Sequence, residues 1–370
     1  MGESSAGDDP SPAITGIPQA QIDLSALRHN LAVARRHTPN SKQLAVIKAD
    51  AYGHGMLRVA QALEAADAFA VARLVEARAL REAGITKDIV VLEGITDKDE
   101  LEQAQALHLQ LVVHQHEQIH LLEQATGTAL AIWLKVDTGM HRLGFSTDEV
   151  RQAHQRLSAC RVVAQPPVLM THLANADDLN DSMTHSQCER FHQATEGLAG
   201  SRSIANSAGI LGWPKSHAEW SRPGIMLYGA SPFINSRASD YDLQPVMTLS
   251  TTLLAIKSCR KGDAVGYGGH WHCPEDMPVG IAAIGYGDGY PRHAPATTPV
   301  WVNGQRVSLI GRVSMDMICL DLRTVTEARI GDPVRLWGSD LPAEDVADKV
   351  GTISYELFCR LTQRVRFIES

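Results

Sequence analysis

Short apolar runs alternate with amphipathic segments through the first two thirds of the chain. The runs predict strands over 44–49, 68–72, 89–92, 109–114, 131–136, 168–172, 203–206 and 225–227. Apolar positions at helical spacing fill the stretches between them, at 57–66, 75–83, 101–107, 118–124, 149–158 and 187–198. One more amphipathic helix, over 25–36 with Ser25 as its N-cap, precedes the first strand. Eight strands alternating with helices predict a (β/α)8 TIM barrel, in preference to an open doubly wound sheet. After Tyr241 the texture changes. Strand-like segments at 246–256, 279–285, 300–302, 306–310, 317–322 and 334–336 are separated by Gly, Asp and Pro turns, and helical spacing returns only near the end. The expected organisation is a disordered tail over 1–18, a barrel over 19–238 and a mostly-β C-terminal domain over 239–370.

Composition narrows the class. A chain of 370 residues suits two domains, and 44% hydrophobic with 21% charged residues is ordinary for a globular protein. A net charge of -8 argues against a nucleic-acid partner. Six cysteines without a CxxC pair read as reduced thiols, which points to a cytoplasmic protein. No apolar run is long enough to span a membrane, and the N-terminal stretch lacks the charged and apolar regions of a signal peptide.

Candidate chemistry starts at Lys48, which follows the apolar run Leu44-Ala45-Val46-Ile47 and precedes a turn eased by Gly53 and Gly55. A lysine ending a buried strand is desolvated, its pKa falls, and its amine can attack a carbonyl to form an imine. The bland alternative is a surface lysine at a strand-to-helix turn. Barrel chemistry gathers at the C-terminal strand ends, and those ends bring Lys48, Lys135, Arg142, His172, Asn206, Ser207 and Arg222 to one mouth. So many cations and hydrogen-bonding groups fit an anionic ligand, most simply a phosphate. The small residues in Asn206-Ser207-Ala208 and Pro223-Gly224-Ile225 let backbone N–H groups approach phosphate oxygens. Phosphate plus an imine-forming lysine suggests pyridoxal 5′-phosphate. The scattered histidines His37, His108, His114, His116 and His120 lack metal-ligand spacing, and so does the group His270, His272 and Cys273.

Nearly the whole chain after the tail resembles the alanine racemases, a pyridoxal-phosphate family built from a barrel and a β-domain. The resemblance rests on Ala45-Val46-Ile47-Lys48-Ala49-Asp50-Ala51-Tyr52-Gly53-His54-Gly55, which is similar to the cofactor-lysine signature with Asp50 where Asn is commoner. Residues 135–144, 222–229, 285–290 and 311–316 match further motifs. The resemblance implies that Lys48 holds the cofactor. It also implies that Tyr52, Tyr355, Ser207 and the backbone at Gly224 and Ile225 hold its phosphate, with Asn206 in the same segment. Arg222 would face the pyridine nitrogen with support from His172, and Arg142 would reach the cofactor and the substrate carboxylate. Lys135 matches a position that is often carbamylated, though a plain ion pair with Asp137 is the simpler reading of its neighbourhood. Tyr267 matches the second catalytic base, given across a homodimer interface so that active sites are shared. Met315, Tyr286 and Tyr355 would bound the substrate.

These residue types suit racemisation, which needs a proton carrier on each face of a planar carbanion. The resemblance assigns the D-antipode to Lys48 and the L-antipode to Tyr267. A phenol is a weak base at neutral pH unless cations stabilise its phenolate, so positive charge is expected near Tyr267. The expected activity is L-alanine to D-alanine interconversion. The rivals are a serine or lysine racemase on the same scaffold, a decarboxylase, which would want an acid facing the ring nitrogen, and a non-enzymatic cofactor carrier, for which Tyr267 is surplus.

Overall fold

The computed structural model describes residues 16–370, so most of the expected tail lies outside the described residues. The chain forms two compact units: Asp23–Val246, and the residues up to Ile22 together with Met247–Ser370. It enters through strand β1 (Gln19–Ile22) and helix α1 (Leu24–His37). The cap of α1 is Asp23 and not Ser25, because the Asp23 carboxylate already accepts the N–H groups of Ser25 and Ala26 at 2.8 and 2.9 Å.

The first unit is a closed barrel of parallel strands: β2 (Lys42–Val46), β3 (Ala68–Val71), β4 (Ile89–Val91), β5 (Gln110–Val113), β6 (Leu130–Lys135), β7 (Val163–Met170), β8 (Arg202–Ser203) and β9 (Trp220–Ser221). Strand β9 pairs with both β8 and β2 and closes the ring. The expected eighth strand at 225–227 is instead the 3-10 turn Ile225–Tyr228, wholly buried. A short buried apolar run carries no period that separates strand from helix. The true strand is two residues long and includes Ser221, so it leaves no apolar signal.

Strand β2 ends at Val46, and Lys48 opens a turn of unusual hand. Ala49, Asp50, Ala51 and Tyr52 all have φ of 52–54°, the left-handed region. Each such L-residue costs roughly 1–2 kcal/mol, so the turn needs outside support. Glu76, in the first turn of the later helix Leu74–Glu82, accepts the Ala49 N–H at 2.7 Å. Asp50 accepts the Met56 N–H at 2.7 Å and so caps helix α2 (Met56–Ala62). His54, fully buried, packs its ring at a tilt against Tyr228, and its Nδ1 donates to the Tyr52 carbonyl at 2.9 Å. Tyr228 in turn donates to the Val46 carbonyl at 2.9 Å.

The second unit is a mostly antiparallel sheet. Its strands are β1, β10 (Met247–Cys259), β11 (Ala264–Val265), β12 (Trp271–His272), β13 (Met277–Ala282), β14 (Pro299–Val302), β15 (Gln305–Ile310), β16 (Ile318–Asp321), β17 (Pro333–Trp337) and β18 (Arg366–Glu369). The main order is β13-β16-β15-β14-β17-β10-β1-β18, and β10 also pairs with β13, so part of this sheet closes on itself. Strand β10 makes both joins by shifting register near Leu249 and Leu253.

The unit limits differ from the expected 19–238 and 239–370. Strand β1 pairs with β10 and β18, not with the barrel. Residues 239–246 stay with the barrel because Leu243 joins Ala238, Val33, Ala34 and Met226 in one apolar cluster. The buried Asn30 amide also exchanges hydrogen bonds with the Gln244 backbone at 2.8 Å. Gly229, at φ +71°, lets this strap turn where a Cβ would sit 1.9 Å from the Gln244 carbonyl oxygen.

Burial holds the His54 imidazole down at about 4, against an ordinary 6.5. The folded state keeps it neutral while the unfolded chain takes up a proton below pH 6.5. Its stability contribution is therefore complete above pH 6.5 and is lost as pH falls towards 4, at about 1.4 kcal/mol per pH unit. Urea midpoints should fall between pH 6.5 and 4.5, and His54→Gln, weaker at pH 7, should show a shallower fall.

Candidate functional site

Arg222 stands just past β9 and is 4% exposed. Its guanidinium donates to Ser203 Oγ at 2.7 Å, to the Thr171 carbonyl at 2.6 Å and to the Ile204 carbonyl at 3.1 Å. It also faces His172 Nδ1 at 3.3 Å. A guanidinium only donates, so Nδ1 accepts and the ring proton sits on Nε2. Among the described residues no carboxylate pairs with Arg222, and burial pushes its pKa down to about 10. It stays a cation at neutral pH. His172 is driven well below 6.5 by burial first, then by Arg222, Lys135, Arg142 and Lys48, so its imidazole is neutral.

Lys135 ends β6, buried at 8% exposure. Burial, then Arg142, Arg222 and Lys48, pushes its amine from 10.5 to about 8. Asp137 is not its ion-pair partner. That carboxylate accepts the N–H groups of Gly139 and His141, both at 3.0 Å, and meets the His141 ring at 3.2 Å. The simpler sequence reading of Lys135 thus does not form. Lys48, half-buried, lies close enough to act electrostatically on both Lys135 and His172, as does the exposed Arg142. The barrel mouth therefore gathers Lys48, Lys135, Arg142 and Arg222, and like charges at this density attract an anion.

Beside these cations lies a small polar cradle. Ser207 Oγ accepts the Gly224 N–H at 2.9 Å and the Met226 N–H at 3.4 Å. A Cβ on Gly224 would stand 2.8 Å from the Tyr52 hydroxyl oxygen. Tyr52, Ser207 and Gly224 thus meet, with Ile225 next in the chain, and Tyr52 stacks on Tyr228 at 4.8 Å between ring centroids. Asn206 spends its side-chain oxygen on the Gly209 N–H at 2.9 Å, capping the short helix Ser207–Gly212.

The remaining candidates belong to the second unit. Tyr267 lies between β11 and β12 and is 70% exposed. Gly266, Gly268 and Gly269 around it all have positive φ, at 75, 76 and 56°, which fixes a tight loop. A Cβ on Gly268 would lie 3.3 Å from an Arg312 guanidinium nitrogen, so Arg312 supplies a cation beside this loop. Tyr286 and Met315 are brought together: the Tyr286 N–H donates to the Ser314 carbonyl at 3.0 Å, and the Gly287 N–H to the Met315 carbonyl at 2.9 Å. Arg364 bridges the same two loops through Asp288 at 3.1 Å and Asp316 at 2.6 Å. Tyr355 is half-buried on the helix Ser354–Cys359. Among the described residues no group of three His, Cys, Asp or Glu side chains could hold a metal, and no helix is long and apolar enough to cross a membrane.

Sequence reasoning missed Thr171, Ser203 and Ile204 around Arg222, and it missed Arg364. Their roles come from carbonyls and small hydroxyls that carry no motif. Arg312 lay within the matched segment 311–316, yet nothing in the sequence tied it to Tyr267.

Comparison with known proteins gives a consistent result. Residues 22–232 match the family model "Alanine racemase, N-terminal domain", and residues 246–369 match "Alanine racemase, C-terminal domain". The chain is 55% identical to the alanine racemase of Nitrosococcus oceani, over 94% of this chain and 98% of that protein. It is 53% identical to that of Aeromonas hydrophila, over 94% and 97%. Among solved structures, the biosynthetic alanine racemase of Pseudomonas aeruginosa superposes with a TM-score of 0.93 at 43% identity, covering 96% of this chain and 99% of that one. The alanine racemase of Bartonella henselae, solved with covalently bound pyridoxal phosphate, gives 0.88 at 28% identity, covering 96% and 99%.

The depressed Lys135 amine makes a prediction about stability. The folded chain leaves it neutral above pH 8 while the unfolded chain keeps it protonated up to about 10.5, so stability rises with pH across that window. The rise is on the order of 3 kcal/mol. In carbonate-free buffer, Lys135→Met should flatten the rise seen in denaturation midpoints between pH 8 and 10.

Proposed function

Since the chain belongs to the alanine racemase family, we propose that it interconverts L- and D-alanine with pyridoxal 5′-phosphate as cofactor, and that Lys48 and Tyr267 are its two proton carriers. The observation that carries this reading is the buried Arg222 guanidinium, which among the described residues has no carboxylate beside it. A permanent cation facing a pyridine nitrogen keeps that nitrogen unprotonated. Decarboxylation and transamination profit from the deeper electron sink that an acid would give there, so Arg222 favours simple proton exchange.

The residues fit the cofactor. The hydroxyls of Tyr52 and Ser207 and the Gly224–Ile225 backbone would hold its phosphate, and a side chain at 224 would fill the space beside Tyr52. Tyr355 is a further candidate phosphate ligand. Lys48 would hold the cofactor covalently, with His172 steadying Arg222. When bound, pyridoxal phosphate withdraws electrons from the substrate's Cα and makes its proton removable.

The chain's own groups do the rest. The Lys48 amine takes or returns the Cα proton on the face of the D-antipode, and the Tyr267 phenol serves the face of the L-antipode. Arg142 holds the substrate carboxylate. The unprotonated fraction of the Lys135 amine, enlarged by the lowered pKa, can attack carbon dioxide, forming an N–C bond and releasing a proton, and the resulting carbamate would offset the surrounding Arg142, Arg222 and Lys48. Arg312 offers positive charge near the loop of Tyr267. The exposure of Tyr267 suits a homodimer in which each chain completes the other's site. Tyr286, Met315 and Tyr355 would bound the substrate, and bulky side chains there would favour a small one such as methyl. The reading goes with a cytoplasmic enzyme.

Two measurements test this. Tyr267→Phe should lower racemisation of alanine by about 10²-fold or more while the cofactor's visible absorption band remains, and unchanged rates in both directions would remove Tyr267 from the mechanism. Arg222→Glu should slow racemisation and increase the fraction of turnovers that end in transamination. Wild-type kinetics with a clean product in that variant would overturn the role of Arg222.

A further inference from the structure

Gln187 has no place in the proposed reaction, yet it is 0% exposed and sits behind the site on helix α3 (Met183–Ala194). Its carboxamide is used at both ends. Oε1 accepts the Ala174 N–H at 2.8 Å. Nε2 donates to the His172 carbonyl at 3.0 Å and to Thr138 Oγ1 at 3.2 Å. Thr138 lies in the loop that carries Arg142, and His172 and Ala174 lie in the loop after β7. One buried side chain therefore ties the two loops together.

The tie continues towards Arg222. Thr138 Oγ1 and Thr171 Oγ1 are 2.8 Å apart, and both residues are buried. Having accepted from Gln187, the Thr138 hydroxyl is free to donate to Thr171. The Thr171 carbonyl is the closest acceptor of the Arg222 guanidinium, at 2.6 Å. Arg190, one turn further along the same helix, donates to the Thr138 carbonyl at 3.0 Å and holds the loop from its other side. Only a carboxamide can give two N–H bonds and take a third at this depth. A carboxylate would face the His172 carbonyl with no proton to offer, and an aliphatic chain would leave the Ala174 N–H and the His172 carbonyl without their bonds.

We propose that Gln187 is a positioning residue for the reaction: through Thr138 and Thr171 it sets the register between the loop bearing Arg142 and the carbonyl cage that aims Arg222. The inference rests on the proposed racemase reading and deepens it. Its effect reaches the cofactor through Arg222 and the substrate through Arg142, neither of which Gln187 touches in the contacts described.

The test compares wild type with Gln187→Leu, Gln187→Glu, Thr138→Val and the double variant Gln187→Leu/Thr138→Val, each loaded with pyridoxal phosphate. Misplacing an aiming group by a fraction of an ångström should cost kcat about tenfold with KM for alanine changed less than about twofold. The single variants should shift the visible absorption band of the bound cofactor and raise the share of transamination. The two changes should be markedly less than additive in the double variant, since they cut one relay. Lowered thermal midpoints with unchanged kcat, absorption band and product ratio would make Gln187 a packing residue and overturn the proposal, and so would fully additive losses. If wild type itself fails to racemise alanine, the proposed function falls, while the absorption comparison still decides on Gln187.

Discussion

A guanidinium buried with no counter-carboxylate among the described residues is the constraint on which the barrel's mouth depends. Taking Arg222 out of water is costly, and the structure offsets the cost with the Thr171 and Ile204 carbonyls and the Ser203 hydroxyl in place of an anion. Neutral acceptors leave the positive charge uncompensated. That charge then shapes its neighbours. It helps to hold His172 neutral and helps to push the Lys135 amine towards 8, where burial had already begun the shift. A carboxylate partner would have cancelled this part of the field and left burial as the main cause of both shifts.

The cations Lys48, Lys135, Arg142 and Arg222 cannot remain together at no cost. Their mutual repulsion is relieved when an anion enters, which makes affinity for phosphate and carboxylate a property of the folded barrel before any particular ligand is considered. The left-handed turn after Lys48 belongs to the same economy. Ala49 to Tyr52 hold an unfavourable backbone because Glu76, Asp50 and His54 supply hydrogen bonds there. The gain is placement: the turn sets Lys48 at one end and Tyr52 at the other, and it brings Tyr52 beside Ser207 and Gly224. Such local strain is characteristic of sites where geometry outweighs stability.

The second unit solves a different problem. Tyr267 stands exposed on a loop between β11 and β12 in which three glycines take positive φ. Tyr286 and Met315 come from separate loops that would wander independently without the backbone bonds between them and the Arg364 bridge to Asp288 and Asp316. Arg364 lies far along the chain from both loops, so it adds long-range order to a region of turns.

Much of this was legible in the sequence, because apolar runs and glycine-rich turns are local and the chemistry of Lys48, Arg142, Arg222 and Tyr267 sits in segments with matching motifs. Six barrel strands follow from apolar runs alone, and the seventh, Arg202–Ser203, meets the expected 203–206 only at Ser203. The eighth does not, since Trp220–Ser221 has no apolar signal and 225–227 imitates a strand. Strand β1 was equally unreadable, because pairing with β10 and β18 is decided by residues more than two hundred positions away. The candidate reactive groups could thus be named from the order of amino acids. Their states were not: whether Lys135 pairs with Asp137, which nitrogen of His172 carries the proton, and why Gln187 is buried are all fixed by distances between loops. Charge and hydrogen bonding act through space, and only the folded chain sets those separations.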